Sequence, residues 1–201
     1  MAAILQNLRN TVIAGVVLAI IMILIVKATG GDSFSLTYNW FAFFFRWLHV
    51  LSGVMWIGLL WYFNFVQIPS MPKIPDEQKP AIGKVIAPAA LFWFRWAAMS
   101  TIITGLILAA FNGYLAEAIS LGMIDHNPKS TAIGIGMWLG AIMWFNVWFV
   151  IWPNQKKALG IVQVEAAEKA KAARTAMLFS RTNTMLSIPM LYAMVSAQNL
   201  Y

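Results

Sequence analysis

The sequence predicts an all-α membrane protein, a polytopic bundle of about five transmembrane helices. Of its 201 residues, 61% are hydrophobic and 10% are charged, whereas a soluble domain usually carries about 25% charged residues. The apolar residues form blocks long enough to cross a bilayer, which takes roughly 20 residues. Lys and Arg lie mainly between these blocks.

The first apolar block is Val12 to Val26. The small residues after it, ATG at positions 28–30, make a poor signal-peptide cleavage site, so we interpret the block as a retained anchor. Residues 1–35 are therefore predicted to be an N-terminal transmembrane anchor, and residues 36–201 a four-helix membrane domain.

Four further spans follow the anchor. They are predicted within Trp40–Val66, Ala89–Tyr114, Ala132–Trp152 and Met177–Gln198. Four prolines between Pro69 and Pro80 exclude a regular helix after the second span, and Pro153 is expected to end the fourth. The polar, alanine-rich segment 156–174 is predicted to be a surface helix that runs into the fifth span, where Pro189 favours a kink.

The distribution of basic residues predicts the orientation. With the N-terminus inside, ten Lys and Arg lie in inner segments and two in outer segments, which is a strong positive-inside bias. The C-terminus is then outside, and we expect a multi-pass protein of the bacterial cytoplasmic (inner) membrane. This placement also explains the net charge of +7, so nucleic acid is not expected as a partner.

The absence of cysteine excludes several kinds of site. Without thiols the chain forms no disulfide, no iron-sulfur cluster and no covalent c-type haem attachment. Any metal or haem must therefore be held by other side chains.

The stretch FFFRWLHVLSGVMWIG, residues 43–58, carries polar groups inside the second span. Spacings of three and four residues place these groups on or beside one helical face. They are Arg46, His49, Ser52, Gly53 and Trp56. An ionisable residue at membrane depth costs at least ~2.5 kcal/mol unless it is paired, so this face should point into protein or a wet cavity. At 1.5 Å per residue from Trp40, His49 lies about 13 Å along the helix, in the outer half of the bilayer.

Three interpretations of His49 remain open. It is a buried histidine bonded to a neighbouring helix, or an axial ligand to haem b or a hydrogen-bond donor to a quinone, or a proton-transfer residue. In the second interpretation Ser52 and Gly53 admit a flat ring, Arg46 pairs with a propionate, and Trp56 completes the cofactor site. No catalytic residue is assigned. The other histidine, His126, is expected in a solvated loop, so a methionine is the candidate second ligand.

Other intramembrane residues are predicted to have structural roles. Arg95 should reach the inner headgroups beside its flanking tryptophans. Small-residue packing is expected at Gly134, Gly136 and Gly140, and interhelical hydrogen bonds at Asn146 and Asn183.

Four motifs in order resemble one known family. RWLHVLSGVMWIG with YFNF, APAALFWFRWAAMSTIITGLIL, NVWFVIWPNQKKAL and SRTNTMLSIPMLYAMVS are similar to the membrane domain of PuuD-type urate hydroxylases, the urate oxidase N-terminal domain family. The resemblance runs from about Trp40 to Ser196, and WPNQKK at 152–157 is its most distinctive stretch.

The resemblance implies a helical membrane domain that passes electrons from urate oxidation to a c-type cytochrome. This chain lacks a CxxCH motif, so it resembles a short form without the cytochrome domain. Where the family has further histidines this sequence reads PAIGKVIAPAALFWF and SRTNTML, so of those histidines only His49 remains.

We therefore hypothesise a redox-linked subunit of an electron-transfer complex that holds one haem b or quinone near His49. Its expected partners are membrane lipid, other membrane subunits and a periplasmic c-type cytochrome. The alternative is a non-catalytic accessory subunit, without a cofactor, in a larger respiratory, photosynthetic or oxygenase complex. The third hypothesis is a urate-oxidising enzyme, although the chain is not expected to be a self-sufficient one.

Overall fold

The computed structural model describes residues 2–29 and 37–201. Within these ranges the chain is helical with short turns and has no strand, which confirms the all-α prediction. The α-helices are α1 (Ala2–Leu5), α2 (Leu8–Ala28), α3 (Tyr38–Trp61), α4 (Ile68–Ser70), α5 (Lys79–Ala81), α6 (Ala87–Phe111), α7 (Leu115–Ile119), α8 (Pro128–Phe145), α9 (Trp152–Ala158) and α10 (Ala166–Asn199).

The chain divides into two compact units, Met1–Phe44 and Phe45–Tyr201. The domain boundary predicted at residue 35 lies outside the described residues. In the first unit, the Asn7 side chain caps α2 by accepting hydrogen bonds from the backbone N–H groups of Arg9 and Asn10. No residue of α2 is buried, and a helix that is apolar all round is suited to lipid.

The second unit has one main core, to which α3, α6, α8 and α10 all contribute. Its most deeply buried large side chains include Trp56, Leu60, Phe94, Met143 and Val147. These helices form the scaffold on which the candidate site is built.

Four helical stretches within the described residues are long and apolar enough to cross a membrane. They are Leu8–Ala28, Tyr38–Lys73, Lys79–Phe111 and Pro128–Ala158, and they support the prediction of a membrane protein. The predicted fifth span lies within α10, which is not one of these four. The number of spans and their orientation stay predictions.

The prediction that Pro153 ends the fourth span is wrong, because the helix continues through it to Ala158. The prediction that the prolines after the second span exclude a regular helix holds, because short α and 3-10 segments end at Lys73 and residues 74–78 are not helical. Three π-helical segments, Tyr62–Gln67, Ile82–Ile86 and Asn146–Ile151, lead into α4, α6 and α9. The second residue of each following helix is a proline, namely Pro69, Pro88 and Pro153. Proline is tolerated in a first turn, and the change of hydrogen-bond register at a π segment provides such a position inside a long helical stretch.

The helix predicted for 156–174 is shorter at its start. Residues up to Ala158 belong to α9, and a turn with Gly160 at φ +74° precedes α10. Lys157 pairs with Glu168 across this turn at 2.5 Å. As predicted, the surface segment then continues without a break into the last apolar stretch.

The two predicted asparagines do join the C-terminal end of α8 to α10. Asn146 Nδ2 donates to Asn183 Oδ1 at 2.8 Å, and Asn183 Nδ2 donates to the Met143 carbonyl at 2.9 Å. Asn183 is fully buried. The prediction of interhelical hydrogen bonds is confirmed at both positions.

The glycines of α8 differ in what they contact. A Cβ at Gly134 would meet the carbonyl oxygen of Ala118 on α7, and a Cβ at Gly136 would lie 3.2 Å from Met194 of α10. A Cβ at Gly140 would meet nothing within 4 Å. The predicted packing role therefore holds for the first two glycines and not for the third.

Arg95 stacks on tryptophan. Its Cζ lies 3.2 Å from the ring centroid of Trp152 and 5.9 Å from that of Trp148. A cation over an indole face gains electrostatic stabilisation that increases as the pair is desolvated. The predicted reach to lipid headgroups remains untested.

Candidate functional site

The imidazole of His49 is oriented by a backbone carbonyl of α6. The distance between His49 Nδ1 and the Thr101 oxygen is 2.9 Å. Because a carbonyl oxygen can only accept, we assign the proton to Nδ1. In the neutral ring Nε2 then carries a lone pair, and the structure gives it no hydrogen-bond partner within residues 2–29 and 37–201.

Gly105 allows the imidazole to lie directly against α6. A Cβ at this position would be 2.8 Å from His49 Cε1 and 3.0 Å from Nδ1. Thr104 Oγ1 lies 3.4 Å from Nδ1 and donates its own proton to the Ser100 carbonyl. The segment STIITG therefore holds the ring by a carbonyl, a hydroxyl and a missing side chain.

A cavity of about 370 Å³ adjoins this imidazole. Its volume lies within the range of roughly 300–1,000 Å³ that is common for small-molecule sites. Its lining includes Ile57 of α3, Ile102 and Leu106 of α6, Ile133, Met137 and Gly140 of α8, and Met190 and Met194 of α10. The cavity is therefore mostly apolar, with a small number of polar groups.

Arg46 lies at the polar end of the cavity. Its Nη1 donates to Gln198 Oε1 at 3.1 Å, and Tyr114 lines the same end. Neither salt bridge found among the described residues includes Arg46. Burial raises the pKa of Tyr114, and the Arg46 charge offsets this in part, so the phenol remains a hydrogen-bond donor at neutral pH.

Two indole N–H groups belong to residues that line the cavity. Trp56 is 1% exposed, and its Nε1 is buried without an acceptor among the described residues. The same is true of Trp144 Nε1. Both nitrogens are themselves closed off from the cavity, and Trp148 Nε1, whose residue does not line the cavity, is buried without an acceptor in the same way, so these groups do not indicate a bound ligand.

The structure brings together three of the five predicted site residues. Arg46, His49 and Trp56 line one cavity. Ser52 instead contacts Ser100 of α6, with 2.7 Å between the hydroxyl oxygens. Gly53 is not a lining residue, and a Cβ there would meet nothing within 4 Å.

Sequence reasoning missed the partners of His49 on the other helices. Thr101 and Gly105, four residues apart, present a carbonyl and a gap on the face of α6 that meets α3. The polar spacing of STIITG was the available signal for this face. Nothing in the sequence distinguished Met137, Met190 and Met194 from the chain's other methionines.

His126 is not a lining residue of the cavity at His49. It lies in the turn before α8 with φ +50°, and it lines a separate surface depression. This agrees with the prediction of a loop residue, so a second histidine ligand is not available at His49.

The loop around His126 is expected to lose order in acid. Asp125 accepts hydrogen bonds from the Ser130 hydroxyl and the Asn127 N–H, and the Ser130 bond in particular lowers its pKa below 3.8. A lowered folded-state pKa stabilises above the unfolded value and is lost as pH falls through the folded one. Hydrogen exchange at residues 122–131, corrected for intrinsic rates, should increase below about pH 4. Asp125→Asn should remove this dependence, and an unchanged dependence in that variant would contradict the assignment.

These features define a class: a helical membrane protein with a mostly apolar cavity beside one oriented histidine. Residues 126–200, which include α8, α9 and α10, match the family model described as urate oxidase N-terminal. The predicted resemblance to that family is confirmed over this segment. Neither the search of curated proteins nor that of solved structures gave a match.

Proposed function

We propose that the protein is a redox-linked membrane subunit that holds one ring-shaped cofactor, haem b or a quinone, in the cavity at His49. The observation that carries this proposal is the hydrogen bond from Nδ1 to the Thr101 carbonyl. This bond fixes the ring and leaves Nε2 available, and metal-binding histidines are oriented in the same way.

The residues present fit a haem in several respects. His49 Nε2 would bind the iron, and Arg46 would pair with a propionate. Three methionines line the same cavity, Met137, Met190 and Met194, and their thioethers are candidate further ligands. A bound haem b would supply one-electron transfer.

The residues that line the cavity also fit a quinone or its reduced quinol. The neutral imidazole can accept a hydrogen bond at Nε2 and cannot donate one there. His49 in this tautomer suits a quinol hydroxyl better than a quinone carbonyl, which modifies the expectation that it acts as a donor.

We further propose that α10 is the fifth span, with the N-terminus inside and the C-terminus outside. Its buried side carries Ser180, Asn183 and Ser187, whereas Ile188 and Val195 are 65% and 60% exposed. Polar residues inside and apolar residues outside is the arrangement expected in lipid. The low hydropathy of α10 then reflects its buried polar side together with the exposed charged residues of its first half, Glu168, Lys169, Lys171, Arg174 and Arg181.

With this orientation Arg46 and His49 lie toward the outer face of the bacterial inner membrane. We propose other membrane subunits as neighbours and a periplasmic c-type cytochrome as the redox partner. Urate oxidation by this chain alone is not proposed, because a mostly apolar cavity desolvates a polar, anionic ring at high cost.

Spectroscopy and extraction test the cofactor. We expect the purified full chain to show either a Soret band that shifts on reduction or a quinone in its organic extract. His49→Ala should remove the cofactor because it removes the oriented nitrogen, and His126→Ala should retain it as the matched control. A colourless, quinone-free protein that copurifies with other subunits in fixed ratio would instead support the accessory-subunit alternative.

A further inference from the structure

We propose that Arg95 and Lys156, which both lie close to the indole ring of Trp152, bind the phosphate of an anionic membrane phospholipid. None of these three residues lines the cavity at His49. The lipid site is therefore separate from the cofactor site, and neither proposal depends on the other. It gives a role to Arg95 and to the motif WPNQKK at 152–157, which the proposed function leaves unused.

Two cations from different helices share one indole ring. The Cζ atom of Arg95 on α6 lies 3.2 Å from the ring centroid of Trp152 on α9, and Lys156 Nζ lies 5.8 Å from the same centroid. Together these distances place the two charges no more than about 9 Å apart, which is within the Debye length of about 10 Å at 0.1 M salt. The two cations therefore repel each other, and an anion that contacts both removes this repulsion.

Neither cation has a carboxylate partner within the described residues. The two salt bridges found there join Lys79 to Asp76 and Lys157 to Glu168. Of the nitrogens of Arg95 and Lys156, only Arg95 Nε is enclosed without an acceptor. The terminal nitrogens of both side chains keep accessible surface and donate to no atom of the described residues, so they are available to an external anion.

The donors suit a phosphate group. The terminal nitrogens of an arginine form a planar fork that matches two phosphate oxygens. Lysine adds a compact charge on a flexible stem, which can move toward the same phosphate. Arg95 is held in place by its stacking on Trp152, so little conformational entropy is lost when its fork binds.

The apolar surface beside the cations favours a lipid over a soluble anion. The ring centroid of Trp148 lies 5.9 Å from Arg95 Cζ and 5.5 Å from that of Trp96. Trp96 is 50% exposed, and Phe92, which contacts it, is 47% exposed. In a membrane these exposed rings face acyl chains, and tryptophan is enriched at the level of the headgroups. A phospholipid can place its phosphate on the cations and its tails on the aromatic surface.

Two positive charges select the headgroup. Phosphatidylcholine carries a quaternary ammonium that Arg95 and Lys156 would repel, whereas phosphatidylglycerol has a net negative charge and no cation. Basic pockets between transmembrane helices on the cytoplasmic side bind such acidic headgroups. With the proposed orientation, Arg95 and Lys156 lie toward the inner leaflet, so the site suits an anionic lipid of that leaflet.

Native mass spectrometry of the delipidated full chain in detergent tests this assignment. The chain is mixed with phosphatidylglycerol or with phosphatidylcholine of the same acyl chains, and bound lipid is measured against concentration. We expect phosphatidylglycerol to bind at least about tenfold more tightly, because only its headgroup leaves both cations paired. Inorganic phosphate, which lacks tails, should not displace it at equal concentration.

Matched variants locate the site. Lys156→Gln and Arg95→Gln should each weaken phosphatidylglycerol by about tenfold, as for one charged hydrogen bond, and leave phosphatidylcholine nearly unchanged. Arg95→Lys keeps the charge and loses the fork, so its loss should be smaller than that of Arg95→Gln. Lys171→Gln is the control, because it removes the same charge from an exposed residue that does not contact Trp152.

Each other outcome contradicts a stated part of the proposal. Equal binding of the two lipids, or an equal loss in Lys171→Gln, would show only the general attraction of a basic surface and overturn the site. Displacement by inorganic phosphate would assign the cations to a soluble anion and overturn the lipid. If Arg95→Gln fails to fold, which thermal unfolding would show, unchanged affinity in Lys156→Gln overturns the proposal by itself.

Discussion

Gly140→Leu is expected to abolish binding of the ring and to leave the fold intact. Gly140 lines the cavity, and a Cβ there would meet no heavy atom within 4 Å. A leucine side chain would therefore extend into the space that the ring needs. We expect affinity to fall at least a hundredfold, or about 2.7 kcal/mol, measured as loss of the Soret band or of the quinone in the organic extract.

The fold should tolerate this change because leucine is the better helix former. Glycine in a helix interior costs about 1 kcal/mol relative to alanine, and the added methyl groups fill empty space rather than displace neighbours. The midpoint of thermal unfolding, followed by circular dichroism, should stay the same or rise.

Two other glycines serve as controls. Gly53→Leu places the same side chain in open space away from the cavity and should leave binding unchanged. Gly134→Leu presses on the Ala118 backbone carbonyl and should lower the unfolding midpoint. Loss of binding in Gly53→Leu with normal binding in Gly140→Leu would contradict the assignment of the cavity as the binding site. It would favour the site predicted from α3 alone.

The sequence was sufficient to predict a helical membrane protein and the polar face of α3. Blocks of apolar residues set the helices, and a spacing of three and four residues placed Arg46, His49 and Trp56 on one side. These signals are local, since each depends on residues within a few turns of one helix.

The helix ends were less predictable because the effect of proline depends on its position in the helix. In a regular helix it removes a hydrogen bond, and Pro153 was expected to stop the fourth span for that reason. In the structure it follows a π-helical segment and the helix continues to Ala158. No local pattern of residues specified that change of register.

The other walls of the cavity depend on contacts distant in sequence. Thr101 reaches His49 from a helix 52 positions further along the chain, and Met190 and Met194 come from α10. One sequence does not specify which faces of α6, α8 and α10 meet α3. The side chains that turn a polar helical face into a site were therefore visible only in the structure.

Asn183→Leu is expected to be among the most destabilising single substitutions in the bundle. Asn183 is fully buried, accepts from Asn146 and donates to the Met143 carbonyl. Leucine removes both bonds and leaves the Asn146 amide buried without its acceptor. A buried unpaired group costs about 1–3 kcal/mol, whereas one interhelical bond in a membrane is worth on average ~0.6 kcal/mol.

We therefore expect the free energy of unfolding to fall by about 2 kcal/mol, measured by titration with a denaturing detergent. Thr182→Val is the matched control on the same helix, because the Thr182 hydroxyl bonds only to Leu178 within α10. It should change the free energy by less than about 0.5 kcal/mol.

The double variant with Asn146→Leu identifies the cause. If the cost comes from an unpaired amide, removing both asparagines should recover part of the stability, because apolar groups then replace both partners. If the cost comes from overpacking, the second leucine should make it larger. Recovery would show that α8 and α10 are held by a polar pair inside the bundle, as expected of a helix whose apolar side faces lipid.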